Sequence, residues 1–396
     1  MRVLIFETKR LSYDSSYYFM EMLRRGMERM GVEVTVCCLE EVEQQEQELE
    51  SFCGQHWDAV IDVNSILPRL KMDEAYYLDC LDAPFYHMIV DHPMHLHETL
   101  RIPLKRYYVV CLDRYHAEYL RRQYSHLSGV HCLGFAGIEA GEFADAAPVL
   151  PMKQRPIRLL FPGTFTPLSY YKEQMEAHTE GYAAVAQEIL QAYHSGSRKP
   201  LEELFVEKTE SDGEFLAMKM YKARYIDKYI REWYRQSIWK ALLAQGVEMD
   251  VVGFRWEMVP GYSEKQLRRH KPCSYATQLQ MLGQSRMVLN IQPSFMDGVH
   301  DRVMNAMLNR SVVVTDGCEY LEDHYDEEQE YLRFDRNRPE EMARRVRTLL
   351  EDTDRLEEIA ENARKKASAH DTWYQRAGQW VSFIREDARQ QSESML

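Results

Sequence analysis

The sequence lacks the patterns that mark several large protein classes. Its eight cysteines are scattered, with no Cys-x-x-Cys pair and no cysteine and histidine spacing of the kind that holds zinc. This disfavours a disulfide framework and favours a reduced, cytoplasmic setting. No apolar run reaches the roughly 18–20 residues needed to cross a bilayer, and the first residues do not resemble a signal peptide. We therefore expect a soluble cytoplasmic protein without a membrane span.

Positive charge is also scarce. The chain has 63 acidic and 49 basic residues, a formal net charge of −14. This balance argues against a protein whose main task is to neutralise nucleic-acid phosphates. A glycine-rich dinucleotide fingerprint is missing too, because the first apolar run is followed by Glu7-Thr8-Lys9-Arg10. An NAD-binding enzyme is therefore disfavoured.

What is present indicates two domains. At 396 residues the chain exceeds one ordinary core, and about its first 135 residues alternate short apolar runs with helical patterns. Such alternation is typical of a parallel sheet covered on both faces. We predict Rossmann-like domains at 1–150 and 151–370, with a Tyr-rich helical insertion at about 168–243. Aromatic residues at helical spacing usually serve packing, although the insertion could also support a homo-oligomer.

One stretch of the second half combines a strand, a polar loop and a helix. Ligands of parallel α/β sheets bind beyond the carboxyl ends of strands, where helix N-termini offer unpaired N–H groups, and 289–316 has this pattern. Gly298 would let the backbone approach a ligand, while His300 and Arg302 would donate charge-assisted hydrogen bonds to a diphosphate. Asn305, one turn into the helix, would offer its amide to sugar hydroxyls. The alternative is an ordinary helix start, with His300 and Arg302 on the surface and Asp301 as its cap.

The densest titratable cluster of the first half follows an apolar run, in the segment VDHPMHLHETL at 90–100. The proline after His92 favours an extended backbone and therefore a loop at the end of a strand. Asp91 or His92 could there deprotonate an acceptor hydroxyl. His95 and His97 would not share a helix face, and no third ligand has a diagnostic spacing, so we predict no metal site. A purely structural role for this cluster stays open.

These motifs together resemble a known family. The segment MVLNIQPSFMDGVHDRVMNAMLNRSVVVTD, followed by HDTWYQRAGQWVSFI, is similar to the nucleotide-sugar half of GT-B glycosyltransferases. It is most similar to their CgeB-like (spore-maturation type) branch. That branch reads Leu-Asn, then Gly-x-His-x-Arg, then a small helix and a strand ending in Thr-Asp. The second half also opens with a strand and a Gly-Thr pair, here LLFPGTFTP, and the resemblance spans nearly the whole chain.

The resemblance implies a role for each matching position. Tyr275 lies where such enzymes stack or hold the base, and Asn305 stands where many retaining members have a glutamate that holds the ribose. Asp91 and His92 match an Asp-x-Pro motif on the acceptor side and are the implied catalytic pair. The implied donor-binding set is Gly163, Thr164, Tyr275, Asn290, Gly298, Val299, His300, Arg302 and Asn305.

The same resemblance implies an α/β GT-B fold of two Rossmann-like domains facing a cleft. Segment 371–396 would return to the first domain and bring Trp380 or Ile384 into contact with it. The implied activity is metal-independent hexosyl transfer from a nucleotide-diphosphate sugar, without a cofactor, to a glycan, protein or small molecule. Two alternatives stay open, a non-catalytic GT-B-like protein that binds a nucleotide or partner, and a sugar-nucleotide epimerase on the same fold.

Overall fold

Two six-stranded parallel sheets organise the chain. The computed structural model describes residues 1–7, 14–39, 46–143, 149–178 and 183–394. The loop considered above for a dinucleotide, Thr8 to Arg10, lies outside these ranges. Each sheet is the centre of one compact unit. The first unit comprises Met1–Gly134, Asp212–Tyr221 and Thr372–Leu396, and the second comprises Phe135–Ser211 and Lys222–Asp371.

The first unit is an α/β layer structure closed by a helix from the far end of the sequence. Its strands are β1 (Arg2–Glu7), β2 (Glu33–Cys38), β3 (Ala59–Val63), β4 (Lys71–Met72), β5 (Ala75–Tyr76), β6 (Phe85–Ile89), β7 (Tyr107–Cys111) and β8 (Gly129–Cys132). Its helices in 1–134 are α1 (Ser15–Arg29), α2 (Glu46–Phe52), α3 (Tyr77–Cys80), α4 (His97–Leu100) and α5 (Arg114–Gln123). The parallel sheet has the order β2-β1-β3-β6-β7-β8, and β4 and β5 form a separate small hairpin. Strands β3, β6 and β7 are buried along their whole length, as expected where helices cover both faces.

The second unit repeats this plan with a larger helical part. Its strands are β9 (Ile157–Pro162), β10 (Met249–Val252), β11 (Leu267–His270), β12 (Ser285–Asn290), β13 (Val312–Thr315) and β14 (Leu332–Arg333). Its helices are α6 (Leu168–His178), α7 (Ala183–His194), α8 (Leu201–Thr209), α10 (Tyr225–Ala244), α11 (Tyr275–Gly283), α12 (Asp301–Leu308), α13 (Glu319–His324), α14 (Pro339–Leu349) and α15 (Thr353–His370). Helix α9 (Gly213–Lys222) lies between α8 and α10 in the sequence, but its residues up to Tyr221 belong to the first unit. The sheet order is β11-β10-β9-β12-β13-β14, so the order reverses between β9 and β12. Among the described helices, none combines the length and apolar character that a bilayer crossing requires.

The helix α16 (Trp373–Ser394) completes the first unit. It packs on α1 so closely that a side chain on Gly26 would place its Cβ 2.6 Å from Ala377 Cβ. The buried Trp380 ring lies against Tyr86 of β6, with 6.1 Å between the ring centroids. The Tyr86 hydroxyl also donates a 2.9 Å hydrogen bond to Asp387 Oδ2. The predicted contact of Trp380 with the first domain is therefore confirmed, and it is made with Tyr86 of β6.

The unit boundaries differ from the predicted 150 because the residues after Gly134 bind to the second unit. Ile138 N–H donates 2.7 Å to Asn305 Oδ1, and Gly137 N–H donates 2.9 Å to Asp371 O. The segment 212–221, which includes most of α9, goes instead with the first unit. Its Asp212 accepts hydrogen bonds from α5, so part of the predicted helical insertion belongs to the N-terminal unit.

Candidate active site

The polar cluster of the second unit lies where its strand order reverses. Strands β9 and β12 are paired neighbours there, and ligands of doubly wound sheets bind beyond the carboxyl ends at such a point. Gly163 and Thr164 follow β9, while Asn290 ends β12 and precedes the loop to α12. The fold therefore brings the two predicted donor loops to one edge of one sheet.

Asn290 holds the side chain of Arg302. It is fully buried, and its Oδ1 accepts a 3.0 Å hydrogen bond from Arg302 Nη1. Its Nδ2 donates to Gln292 Oε1 at 2.9 Å and to Thr315 Oγ1 at 3.1 Å. The Arg302 guanidinium carbon lies 5.7 Å from the centroid of the Phe161 ring. An amide acceptor and an aromatic face together fix the direction in which this positive charge is presented.

Gln292 holds the loop between β12 and α12 through its side chain, and the sequence analysis did not single out this residue. Its buried side chain donates from Nε2 to Gly298 O at 3.0 Å and accepts at Oε1 from His300 N at 3.1 Å. Its own N–H donates 3.0 Å to Asp316 Oδ1 at the end of β13. Val299 is buried between the two bonded positions. An uncharged polar residue at the end of an apolar strand was the signal for this role.

His300 caps α12 and lies beside Asp301. Its Nδ1 is 2.5 Å from Asp301 Oδ1 and 3.3 Å from Arg302 N. Removal from water lowers the pKa of His300, and the charge of Arg302 acts in the same direction, while Asp301 opposes it. Burial raises the pKa of Asp301, but His300 and the Tyr275 hydroxyl outweigh this effect and lower it to about 2. Near pH 7 a largely neutral imidazole therefore lies next to an ionised carboxylate.

Tyr275 and Asn305 support Asp301 from inside the protein. The Tyr275 hydroxyl donates 2.6 Å to Asp301 Oδ2, and Asn305 Nδ2 donates 2.6 Å to the Tyr275 hydroxyl oxygen. Asn305 Oδ1 accepts from the backbone of Ile138. The two residues are 6% and 2% exposed. A base-stacking ring and a sugar-binding amide would both need exposed groups, so these contacts indicate that the two side chains orient Asp301.

The loop after β9 leaves little space for a side chain at Gly163. Its carbonyl accepts a 2.6 Å hydrogen bond from Trp256 Nε1, and a Cβ added to it would lie 3.3 Å from the Phe161 ring. A side chain would therefore crowd the ring that Arg302 faces. Gly163 and Thr164 are both half-buried, so part of this loop is accessible to a ligand.

Arg235 of α10 is a second cation at the same ring, and sequence reasoning missed it. Its guanidinium carbon lies 6.0 Å from the Phe161 centroid, and its positive charge lowers the pKa of His300. Its Nε is buried without a hydrogen-bond partner, and within the described part of the chain no ion pair involves this side chain. Arg231, one turn earlier on α10, is also positively charged. Two like charges four residues apart are unfavourable in an isolated helix, and that spacing was the available signal.

In the first unit, Asp91 and His92 differ in accessibility. Asp91 is half-buried, and its Oδ2 accepts a 2.9 Å hydrogen bond from Asn64 Nδ2. His92 is only 3% exposed, and its Nδ1 accepts from Met94 N at 3.1 Å as the cap of the following turn. Its ring packs against His116, with centroids 4.5 Å apart. Asp91 is therefore the more accessible base of the two.

Comparison with known proteins identifies the fold. Residues 231–382 match the family described as Glycosyl transferase-like, and this range contains α10, the loop after β12 and α12. No curated protein sequence matches the chain. A glycosyltransferase from Rickettsia africae superposes with a TM-score of 0.55 at 10% identity, covering 98% of each chain. The chain has the GT-B glycosyltransferase fold.

Two further GT-B neighbours were solved with ligands. HepE from Anabaena, in complex with UDP-glucose, has a TM-score of 0.53 at 13% identity and covers 99% of this chain and 100% of its own. An alpha-glucosyltransferase in complex with UDP-glucose and DNA containing an abasic site has a TM-score of 0.55 at 11% identity, with coverages of 97% and 99%. At these identities the likeness establishes the fold, and the predicted GT-B architecture is confirmed. The family match supports the glycosyltransferase interpretation, while the CgeB-like branch stays a prediction.

Proposed function

We propose that this GT-B protein transfers a sugar from a nucleotide-diphosphate sugar to a hydroxyl-bearing acceptor. The observation that carries the proposal is the convergence of Arg302, Arg235 and His300 at the point where the second sheet reverses its strand order. All three residues fall inside the matched range 231–382. In a protein with net charge −14, two arginines at the ligand-binding edge, beside a histidine that an anion would help to protonate, indicate an anionic substrate.

The donor chemistry follows from where charge develops. When the bond between the sugar C1 and the diphosphate oxygen breaks, its electron pair leaves with the diphosphate. Arg302 and Arg235 would stabilise that added negative charge, and the positive end of the α12 dipole would add to their effect. Because Asn290 already holds Arg302 in place, little reorganisation is required at the moment of transfer.

The acceptor chemistry needs a base. As the acceptor oxygen forms its bond to C1, its proton must leave, and the partly accessible Asp91 carboxylate is our candidate to receive it. His92 would then support the turn after Asp91 rather than take the proton, because its Nδ1 is engaged by the Met94 N–H.

We further propose that transfer is metal-independent and uses a hexose, as in the CgeB-like branch that the sequence resembles. The guanidinium groups of Arg302 and Arg235 can supply the positive charge that a divalent cation supplies in other sugar transferases. In the described part of the chain, no group of three or more histidine, cysteine or carboxylate side chains is arranged to hold a metal ion.

The test is a ligand screen followed by turnover. Thermal unfolding is measured with UDP-, GDP-, ADP- and dTDP-glucose, since a ligand of the folded state raises Tm by mass action. Release of the nucleoside diphosphate is then measured for the ligand that stabilises most, with and without EDTA. We expect stabilisation by one nucleotide class and turnover that EDTA leaves unchanged. Binding without turnover would favour the non-catalytic GT-B-like protein. Conversion of the sugar without release of the nucleoside diphosphate would favour the epimerase.

Replacing Arg302 with alanine should weaken nucleoside diphosphate binding by about 1.5–3 kcal/mol, the range for hydrogen bonds to charged groups. The Asn290 amide that now holds the guanidinium would lose only one of its partners, so the fold should persist. Calorimetric titration gives the affinity, and Tm gives the stability. Arg344→Ala is the control, because this exposed arginine lies on α14. Equal affinities in the two variants would contradict the assignment of Arg302.

Donor affinity should fall as pH rises. In the free protein the pKa of His300 is below its ordinary value, so the imidazole is largely neutral at pH 7. A bound diphosphate would raise the pKa of His300, so the imidazole would take up a proton on binding. Donor affinity is then greatest at low pH. It falls as the pH rises from the pKa of His300 in the free protein to its pKa in the complex, by at most about tenfold per pH unit. Asp301 stays ionised across this window because its pKa is about 2.

The measurement should use a nucleotide sugar, because the terminal phosphate of a free nucleoside diphosphate itself titrates near pH 6. Titrations from pH 5.5 to 8.5 in buffers of different ionisation enthalpy report the proton uptake directly. The His300→Asn variant is the control and should show a flat profile. A wild-type affinity that does not change with pH would refute protonation of His300 on binding.

A further inference from the structure

Asn64 has an unusual conformation beside the proposed base. It follows β3 with φ of 45°, in the left-handed region that glycine favours and that asparagine tolerates better than most other residues. Its Nδ2 donates 2.9 Å to Asp91 Oδ2, and its Oδ1 accepts 3.0 Å from Val90 N. Its own N–H donates 2.9 Å to Met88 O. One residue thus ties the end of β3 to the segment that follows β6.

A second group of polar residues fixes the turn that contains Asn64. Asp62 and His87 are both fully buried, with Oδ1 and Nδ1 2.5 Å apart. Asp62 Oδ2 accepts a hydrogen bond from the Ser65 hydroxyl, whose oxygen in turn accepts 2.9 Å from Leu67 N. The turn from Asp62 to Leu67 is therefore pinned at its start and at its end, with Asn64 between.

This arrangement costs stability. Burial of a histidine and a carboxylate in the centre of a sheet is usually no better than an apolar pair, and His87 Nε2 has no hydrogen-bond partner in the described part of the chain. Asn64 also occupies the left-handed region, which few residue types besides glycine and asparagine adopt. Such costs persist where the surrounding structure over-determines a conformation, and such residues cluster at functional sites.

We infer that Asn64 is a positioning residue that holds the Asp91 carboxylate in one orientation for the acceptor hydroxyl, with Asp62, Ser65 and His87 fixing the turn behind it. The inference rests on the proposed role of Asp91 as the base. A donor bond to Oδ2 leaves Oδ1 to meet the acceptor proton, and it removes a rotation of the carboxyl group that would otherwise have to be frozen during transfer.

The first test is Asn64→Gly, measured with the nucleotide sugar selected by the thermal screen and water as acceptor. Glycine accepts φ of 45° without strain, so the turn is kept while both side-chain hydrogen bonds are lost. We expect kcat to fall about 10- to 100-fold, with KM for the donor and Tm unchanged. Asp73→Gly is the matched control, since Asp73 is an exposed residue of the same unit with φ of 50°.

The second test is Asn64→Asp, which has the same shape but places a carboxylate beside Asp91. Repulsion should move the acidic limb of the kcat/KM profile toward higher pH by roughly one unit. The limb moves only if Asp91 is the titrating base, so this variant tests the base on which the inference rests, whereas Asn64→Gly tests the positioning role. Circular dichroism shows whether Asn64→Asp is folded. If this variant does not fold, the test rests on Asn64→Gly.

The outcomes separate the inference from the proposed function. If Asp91→Asn is fully active, the base assignment fails, and the role of Asn64 fails with it. If Asp91→Asn is inactive while folded Asn64→Gly keeps wild-type kcat and an unmoved pH profile, only the role of Asn64 is refuted. Loss of kcat in Asn64→Gly but not in Asp73→Gly supports the inference.

Discussion

Replacing Asp91 with asparagine should lower turnover by about 10²–10⁴ while donor affinity stays unchanged. Asparagine keeps an oxygen that can accept the 2.9 Å hydrogen bond from Asn64, so the loop retains its geometry and only the proton acceptor is lost. Diphosphate release at saturating donor gives turnover, and calorimetric titration gives donor affinity. The two measurements separate the acceptor side from the donor side.

His92→Ala is the matched variant for Asp91→Asn. Because His92 is buried and its Nδ1 binds the Met94 N–H, its loss should lower Tm and reduce turnover less than the loss of Asp91. A larger loss of turnover in His92→Ala than in Asp91→Asn, at equal stability, would return the base role to the histidine. A collapse of donor affinity in either variant would assign the cluster to the donor site.

Replacing Arg235 with methionine should weaken donor binding by about 1.5–3 kcal/mol, or roughly 10- to 150-fold, without lowering Tm. The guanidinium carbon lies 6.0 Å from the Phe161 centroid, and burial lowers the pKa of Arg235, with Arg231 adding to the effect. A buried charge that forms no ion pair with any described residue costs stability in the free protein, and a residue that binds an anionic ligand commonly carries that cost. Methionine has a similar length and removes the charge.

The control is Arg286→Met. Arg286 also has a buried Nε that finds no hydrogen-bond partner among the residues that the structure describes. It lies near the amino end of β12, whereas Asn290 and the donor loops lie at the carboxyl end. Donor affinity should be unchanged in this variant. If Arg235→Met binds the donor as tightly as the wild type, or unfolds at a clearly lower temperature, Arg235 is a structural residue and not part of the site.

The strand, loop and helix from Leu289 to Asp316 were predictable because local rules agree along them. An apolar run predicts β12, and α12 begins at Asp301 as predicted, although the capping side chain is that of His300 and not that of Asp301. His300 and Arg302 could be assigned to a ligand edge because parallel strands place their carboxyl ends together. These are short-range patterns, and the structure follows them.

The parts that sequence did not reveal depend on long-range contacts. Arg235 is one charge among many in a Tyr-rich helix, and only the packing of α10 near Phe161 distinguishes it from a solvated residue. Asn305 and Tyr275 were predicted to bind the donor. In the structure Asn305 accepts a hydrogen bond from the Ile138 backbone, and Tyr275 donates one to Asp301. No periodicity encodes such pairings, because the partners are far apart in sequence.

The first unit also has a consequence for the order of folding. Its helix α16 supplies Trp373, which stacks on Phe19 with centroids 5.8 Å apart, and Asp387, which binds Tyr86 and His131. A ribosome translates these residues only after it has made the whole second unit, so the N-terminal sheet must wait with its α1 face uncovered. Domains commonly fold in the order of their synthesis. Here the second unit can finish first, and a nascent chain stalled before residue 373 would expose the apolar surface of α1 to chaperones and proteases.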